Sequence, residues 1–422
     1  MQLSRRTGQD FGGSVAHSHT EMALTLGTWG GIPLETEVGL NIAESLAKWA
    51  TRSSLEYRVE CYCDHPGDRR VLERLVELES AGAGVVAVAR LEPREDRWRY
   101  LGEAGVKEAI VEVPVSVEAG AKRFAAAGVE RSPQFGRETV VSAALSGIQP
   151  ELSLLDVTRA EERDVAAVLD VVLDEERARG VKCRFRLVDD LGLGDPFEED
   201  LPRSLSSWIR WLNDEYGIDP SRVSVQTSDQ RGLALANTLA GLKAGAGVTT
   251  SLFGLGLRTG WASTEAVLLH LLGDRAPLKA LLELKPQLDV AGRRDDYRPV
   301  SGEHAWQVLG GTSPEDLKDK LDAQLGLDPR KLTGRTPEPV LTSLSGHAGM
   351  LHLLHSHYPD RHFESDGPVS LGISGKFEED FNLGRQQPVT WRELEPQIEK
   401  SSLLDNPDEV SPPEEMEPEE SA

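Results

Sequence analysis

Short apolar segments alternate with longer segments of helical periodicity along the first two thirds of the chain. In the longer segments apolar residues recur every three or four positions, which predicts amphipathic helices. These helices include Thr36–Ala50, Arg159–Arg179, Leu205–Tyr216 and Leu233–Ala244. The short segments predict strands at Met22–Leu26, Leu55–Cys63, Gly84–Arg90, Glu108–Val113, Pro150–Val157, Val181–Val188, Arg222–Val225 and Gly247–Phe253. Eight βα units in about 250 residues predict an α/β fold of the (β/α)8 TIM barrel type.

A doubly wound open sheet is the alternative fold, but no glycine-rich phosphate motif follows the first predicted strand. The alternation ends near residue 275. We therefore expect a flexible N-terminus at 1–20, a TIM barrel at 21–275 and a smaller C-terminal helical and α+β extension at 276–400. Within the extension, Pro337–Tyr358 predicts a strand and a helix. The last segment, 401–422, holds eight acidic residues and no Lys or Arg, which predicts a disordered acidic tail.

The whole chain is acidic, with a formal net charge of -24 over 422 residues. Such a surface repels nucleic acid and anionic membranes, so we expect neither as a partner. No apolar run approaches the roughly 18 residues that a membrane span needs, and no signal-peptide pattern follows the N-terminus. The three cysteines do not suggest a disulfide framework. These features predict a cytoplasmic protein with reduced thiols.

Several segments resemble one enzyme family. The stretch VSVQTSDQRGLALAN at Val223–Asn237, followed by GLGLRTGWAS at Gly254–Ser263, is similar to the seventh and eighth βα units of the isopropylmalate/homocitrate/Re-face citrate synthase family. This family consists of pyruvate carboxyltransferase-like and HMG-CoA-lyase-like TIM barrels. RLVDDLGLG at Arg186–Gly194 and LLDVTRAE at Leu154–Glu161 resemble further family segments, as does GRTPEPVLTSLSGHAG at Gly334–Gly349. The segments occur in the family's order, so the resemblance supports the predicted barrel.

The resemblance implies a chemistry. Members of the family join acetyl-CoA or another acyl-CoA to a 2-oxo acid, in an acyl transfer that forms a carbon–carbon bond. A divalent metal polarises the oxo acid and acts as a Lewis acid. In the family its ligands are an Asp at the end of the first strand, a His-x-His pair on the seventh and an Asn after the eighth. The resemblance also implies a homodimer, in which the C-terminal extension reaches over the partner's barrel.

This chain departs from the family at every ligand position. Thr25 takes the position of the Asp, Gln226 and Ser228 take those of the two His residues, and Trp261 takes that of the Asn. Neutral amide and hydroxyl oxygens are poor ligands for Zn²⁺ or Mn²⁺, and an indole offers none. We therefore expect no metal and no cofactor. The leading hypothesis is a non-catalytic partner or regulator of an active synthase paralogue, or a protein that binds a small carboxylate metabolite.

Other polar residues of the family pocket persist, which leaves catalysis open as the alternative hypothesis. Asp156, Arg159 and Arg258 are candidate substrate-binding residues, and Asp189 or Asp190 is the candidate catalytic base. In that case an active acyltransferase or lyase with a rebuilt site would use acetyl-CoA, with or without a divalent metal. Alternatively, these side chains form ion pairs that stabilise the barrel mouth, since such networks mimic functional clusters.

The remaining His and Cys motifs have simpler interpretations. We expect His17-Ser18-His19 to lie in an exposed tail, because no partner acid or strand frames it. Cys61 and Cys63 have the wrong spacing for a CxxC unit and are expected to pack in the core. Four histidines in GHAGMLHLLHSHY could form a metal site, although a capping or interface helix is the favoured interpretation. They are His347, His352, His355 and His357.

Overall fold

The computed structural model describes most of the barrel and part of the C-terminal region. The described residues are 18–22, 24, 35–51, 56–63, 65–256, 258–272, 280–281, 284, 307–309, 338–342, 345–358, 363, 368–385 and 388–400. Eight parallel strands close into a barrel in chain order, and the first strand pairs with the eighth. This confirms the (β/α)8 TIM barrel. No helix in the described part of the chain is long and apolar enough to cross a membrane.

Strands and helices alternate through the barrel, except that two helices lie between the fourth and fifth strands. The barrel strands are β1 Ser18–Glu21, β2 Glu56–Tyr62, β3 Val85–Arg90, β4 Glu108–Pro114, β5 Gln149–Leu155, β6 Arg184–Asp189, β7 Val223–Thr227 and β8 Gly247–Thr250. The helices beside them are α1 Thr36–Ala50, α2 Pro66–Ser80, α3 Glu95–Glu103, α4 Val117–Phe124, α5 Ser132–Leu145, α6 Glu162–Arg179, α7 Leu205–Tyr216, α8 Ala234–Lys243 and α9 Thr264–Leu272. Helices α1 and α7 have the predicted bounds, and α6 begins three residues after the predicted Arg159.

The first strand is not the apolar Met22–Leu26 that the sequence predicts but the polar segment Ser18–Glu21. His19, expected in an exposed tail, is only 1% exposed and stacks edge-on against Tyr57, with ring centroids 4.8 Å apart. Both predictions were wrong because partners on β2 and β8 satisfy the polar side chains of this strand. His19 Nε2 lies 2.5 Å from Thr250 Oγ1, and Glu21 accepts a hydrogen bond from the Leu252 backbone N–H. Thr25 and His17 lie outside the described residues.

The apolar core lies between the strands and the helices. Side chains on the outer face of the strands pack against the helices, as Phe185 and Val225 do in the layer that also holds Trp208. Cys61 and Cys63 belong to this outer core and are buried, as predicted. The inner face is different, because the interior of a TIM barrel is usually filled by bulky aliphatic side chains. Here it is rich in charges: Arg58, Glu60, Arg90, Glu108, Glu112, Glu151 and Arg186.

The chain forms a second compact unit from Leu309–Lys318 and Glu338–Ala422. Its described elements are β10 Glu338–Val340, α10 Gly346–His357, α11 Pro368–Asn382 and α12 Trp391–Lys400, and a short strand β9 spans Gln307–Leu309. The strand and helix predicted within Pro337–Tyr358 are confirmed. The small core of this unit consists of Leu341, Met350, Leu353, Leu354, Phe377, Val389, Leu394 and Ile398. The predicted acidic tail lies outside the described residues.

Candidate functional site

A network of paired charges fills the lower barrel interior. Arg58 of β2 reaches Glu108 of β4 at 2.8 Å and Glu151 of β5 at 2.6 Å. Its Nη1 also donates to Thr20 Oγ1 at 3.0 Å, which ties β1 to the network. Buried charges need partners and hydrogen bonds to offset the loss of hydration, and this geometry supplies both.

A second set of charges lies above the first. Arg186 of β6 donates to Glu151 at 2.7 Å and crosses the barrel to Glu60 of β2, also at 2.7 Å. Arg90 of β3 completes the set by pairing with Glu60 at 2.6 Å and with Glu112. Burial would raise the pKa of Glu151, but Arg186 and Arg58 outweigh this effect and hold that pKa at about 2. Burial would also raise the pKa of Glu60, but Arg186 and Arg90 lower it, so Glu60 and Glu151 are ionised ion-pair partners.

We did not predict these interior ion pairs from the sequence. The signal was nonetheless present, because Arg58 and Glu60 lie two residues apart in a β-rich segment, as do Glu151 and Ser153. Side chains at i and i+2 share one face of a strand, so polar residues in this pattern predict a polar inner face.

The two residues that we aligned with the family's His-x-His pair, Gln226 in β7 and Ser228 just after it, have other contacts. Gln226 is buried, and its Oε1 accepts a hydrogen bond from Arg186 Nη1 at 3.0 Å. Ser228 forms an isolated backbone bridge with Trp261. Trp261 is 4% exposed and packs with Met22, Val188 and Leu155 inside the barrel mouth. These donors do not fit a divalent cation, since a guanidinium already occupies the accessible lone pair of Gln226 and an apolar cluster adjoins it.

The other carboxylates and histidines among the described residues do not form a metal site either. No group of three or more His, Cys, Asp or Glu side chains in those ranges is placed to hold a metal ion. His19 Nδ1 is buried, and burial lowers the pKa of this imidazole to about 3, so it is neutral. In α10, His355 lies near Phe363, and His357 stacks on Trp391 with ring centroids 3.8 Å apart. The side chains of His347 and His352 lie outside the described residues.

The loop after β8 carries Trp261 into the mouth. Gly254, Gly256, Arg258 and Gly260 all have positive φ, which turns the chain sharply between β8 and α9. The Trp261 backbone N–H donates to Gly254 O at 3.2 Å and closes the loop. Glu21 fixes both ends of this loop, because its carboxylate accepts from the Leu252 N–H and from the Thr264 hydroxyl.

Asp156 and Arg159 form an ion pair at the end of β5. Asp156 adopts a left-handed conformation with φ of 67°, and its Oδ2 accepts from the Ser116 hydroxyl and from Arg159 Nε at 2.8 Å. Burial raises the pKa of Asp156, although the hydrogen bonds from Arg159 oppose this shift. Arg159 also lies 3.7 Å from Glu118. The pair forms one wall of the barrel mouth.

Asp190 and Arg258 form a second ion pair at the mouth, after the neighbouring strand β6. Arg258 Nη2 donates to Asp190 Oδ1 at 3.0 Å and to its backbone carbonyl at 2.5 Å. Burial would raise the pKa of Asp190, but Arg258 and then Lys122 lower it, and Arg159 adds to the effect. The two pairs interact electrostatically, and Asp189 interacts with Asp156, so the structure brings all five predicted site residues together.

Asp189 has a different environment from Asp190. Its buried carboxylate accepts from the Thr158 hydroxyl at 3.0 Å and from the backbone N–H groups of Leu193 and Gly194 at 2.8 and 2.9 Å. Burial raises the pKa of Asp189 to about 6, against the effect of these hydrogen bonds. Its hydrogen bonds hold the loop that follows β6.

Comparison with known proteins places this geometry in context. The family model described as HMGL-like matches residues 33–291, more than half of the chain. A 2-phosphinomethylmalate synthase from Streptomyces hygroscopicus is 28% identical over 89% of this chain and 87% of that protein. A citrate (Re)-synthase from Syntrophus aciditrophicus is 24% identical over 62% of this chain, which spans 44% of that protein.

Solved structures share the fold. Hydroxymethylglutaryl-CoA lyase from Pseudomonas aeruginosa has a TM-score of 0.50 and 21% identity, covering 65% of this chain and 92% of that one. The carboxyl transferase domain of Rhizobium etli pyruvate carboxylase has a TM-score of 0.51 and 16% identity, covering 84% of this chain and 64% of that one. At such identities the likeness concerns the fold alone.

Proposed function

Because this chain belongs to the HMGL-like family, we propose that it is a homologue of the acyl-CoA/2-oxo acid condensing synthases that has lost their metal-dependent Claisen condensation. In place of catalysis it binds a small carboxylate metabolite at the barrel mouth. We further propose that it acts as a homodimer and as a partner or regulator of an active synthase in the cytoplasm.

The proposal rests on the contacts of Gln226 and Trp261. Gln226 is held by Arg186, whose positive charge opposes a second cation nearby. Trp261 fills the mouth with a side chain that has no lone pair to offer a metal. A working condensation site would need the divalent ion that this arrangement disfavours.

The loop that carries Trp261 supports the choice of a carboxylate ligand. Trp261 Nε1, Thr259 Oγ1 and Arg258 Nε are buried and have no hydrogen-bond partner in the described part of the chain. An indole N–H and a guanidinium N–H can donate but not accept, so their partner must present acceptors. A carboxylate does this and also gains from the charges of Arg159 and Lys122, which lie at the same mouth.

One observation favours a second candidate. The 28% identity with a 2-phosphinomethylmalate synthase extends over 89% of this chain, far beyond the barrel motifs. In this candidate function the protein is an active acyltransferase with a rebuilt site. Asp156, Arg159 and Arg258 would bind the substrate, and Asp189 or Asp190 would serve as the base.

Thiol release from acetyl-CoA distinguishes the two candidates. The assay uses pyruvate, oxaloacetate, 2-oxoglutarate and 2-oxoisovalerate, each with and without Mg²⁺, Mn²⁺ and Zn²⁺. We expect no turnover, and metal analysis of the purified protein should find no stoichiometric divalent ion. Turnover that disappears in Asp189→Asn or Asp190→Asn would establish the second candidate and contradict the first.

Calorimetry tests the binding half of the proposal. Malate, succinate and pyruvate serve as probes, with inorganic phosphate as the comparison anion. We expect at least one carboxylate to bind, and Arg258→Met to weaken that binding roughly tenfold, which corresponds to one lost charged hydrogen bond. Arg177→Met, which removes an exposed arginine of α6, is the matched control. If none of the carboxylates binds, the metabolite-binding proposal is wrong.

A further inference from the structure

Four neighbouring strands place an arginine and three small residues at one register level inside the barrel. Ser153 of β5 is in register with Arg186 of β6, Arg186 with Ser224 of β7, and Ser224 with Gly247 of β8. All four face inward, because their neighbours along each strand belong to the outer core. Residues in register on neighbouring strands lie side by side on the inner wall of the barrel. Gly247 contributes no side chain, which leaves space beside Ser224.

Several polar atoms at this level have no hydrogen-bond partner among the described residues. Ser153 Oγ, Ser224 Oγ and Arg186 Nη2 are buried without a hydrogen bond. Thr249 Oγ1, two residues after Gly247 and in register with Gln226, is in the same state. Side chains this deeply enclosed are almost always hydrogen-bonded in native proteins, and an unsatisfied group costs about 1–3 kcal/mol. Four such atoms on neighbouring strands therefore indicate small polar partners bound along this part of the inner wall.

We propose that the interior of the barrel holds bound water between Ser153, Arg186, Ser224 and Thr249. The set consists of one guanidinium donor and three hydroxyl groups that can both donate and accept. A water molecule matches this set, because it donates two hydrogen bonds and accepts two. The site is separate from the carboxylate site at the mouth.

Charge and access argue against an ion. Arg186 is already paired with Glu60 and Glu151, so no net positive charge remains at this level for an anion to neutralise. A metal cation is disfavoured because the four side chains offer only hydroxyl groups and a guanidinium, which lack the carboxylate or imidazole ligands it prefers. Met22, Val188 and Trp261 pack above this level, which closes it to a metabolite entering from the mouth.

The sign of a stability change tests the proposal. Thr249→Val keeps the shape of the side chain and removes the hydroxyl. If water satisfies the hydroxyl, we expect the Tm to fall by about 2–4 °C, since a water-mediated hydrogen bond is lost. If the hydroxyl has no partner in the folded protein, its removal relieves an unsatisfied group and the Tm rises. A rise in Tm would overturn the proposal.

A matched control fixes the scale. Thr227→Val removes a buried hydroxyl whose partners are protein atoms, Ala234 O at 2.9 Å and Thr238 Oγ1 at 2.7 Å. We expect the Tm of the Thr227→Val variant to fall at least as much as that of Thr249→Val. A high-resolution crystal structure of the full chain completes the test. Water density within hydrogen-bonding distance of Ser153 Oγ, Ser224 Oγ and Arg186 Nη2 is the expected result, and direct pairing of these atoms without water would overturn the proposal.

Discussion

The indole of Trp261 lies directly over the backbone of Gly256. A β-carbon at position 256 would lie 2.1 Å from Trp261 Cδ1 and 2.3 Å from its Nε1, distances that folded proteins do not tolerate. Gly256 also has a φ of 149°, a conformation that L side chains rarely adopt. The absence of a side chain at 256 is thus what allows Trp261 to occupy the barrel mouth.

Gly256→Ala should displace Trp261 from the mouth. We expect a loss of about 2–4 kcal/mol in the free energy of unfolding, from the steric overlap and the backbone strain together. The fluorescence of Trp261 should shift to longer wavelength as the ring becomes hydrated, measured as the difference from the same variant carrying Trp261→Phe. Gly232→Ala is the control, because Gly232 has a φ of 72° but nothing within 4 Å of an added β-carbon. Equal stability of the two alanine variants would show that Trp261 does not depend on Gly256.

Arg186→Met should be strongly destabilising. It leaves Glu60 and Glu151 without one of their cations in a fully buried setting, and breaking such a pair costs about 3–5 kcal/mol. Chemical denaturation measures the loss. Arg177→Met removes an arginine that is 74% exposed and pairs only with Asp174 among the described residues, so it should change stability by less than about 0.5 kcal/mol. A similar cost in both variants would contradict the closed charge network.

His19 should make the protein sensitive to acid. Its folded pKa of about 3 lies below the unfolded value of 6.5, so between these values the unfolded chain binds more protons. The contribution of His19 is therefore complete above pH 6.5 and is lost as the pH falls toward 3. Between pH 8 and pH 5 this loss amounts to about 2 kcal/mol.

The check is the pH dependence of unfolding in wild type and His19→Gln. The glutamine can still donate to Thr250 but does not titrate. We expect the variant to be less stable at pH 8, since it loses the contact with Tyr57, and to lose about 2 kcal/mol less on going to pH 5. Parallel stability curves would show that His19 is not the acid-sensitive group.

Substitutions of the adjacent residues Asp189 and Asp190 should have different effects, the first on stability and the second on carboxylate binding. Asp189→Asn weakens the acceptor for the Leu193 and Gly194 N–H groups and should lower stability by about 1–3 kcal/mol, with carboxylate binding unchanged. Asp190→Asn removes a negative charge beside Arg258, so carboxylates should bind about threefold to tenfold more tightly. Thermal melts and calorimetry measure the two effects. Weaker carboxylate binding in Asp190→Asn would contradict the assigned role of Arg258.

The barrel could be predicted from the sequence because its outer face follows simple periodicity. The apolar spacing in Thr36–Ala50 and Leu205–Tyr216 gave both helices with their observed bounds. The first strand could not be predicted in this way. His19 and Glu21 are polar, and their burial depends on Thr250 and Leu252, which lie more than 200 residues away in the chain.

The residues of the candidate site could be predicted from the sequence, but most of their pairings could not. The pairing of Asp156 with Arg159 follows from their spacing of three residues, whereas the pairing of Asp190 with Arg258 depends on the closure of the barrel. The contact between Arg186 and Gln226 could not be derived from either segment alone. The reason is that Arg186 and Gln226 lie 40 residues apart in the chain and meet only because β6 and β7 are neighbours in the barrel.

The charged interior of the barrel has a consequence for how this sequence can vary. Arg186 serves carboxylates on β2 and β5 and the amide on β7, so three strands depend on one side chain. A substitution at any one of these positions leaves the other buried polar side chains without a partner. A simultaneous exchange of both partners does not. Substitutions inside this barrel should therefore be inherited in compensating sets, and a library that varies one inner position at a time would wrongly report the whole interior as immutable.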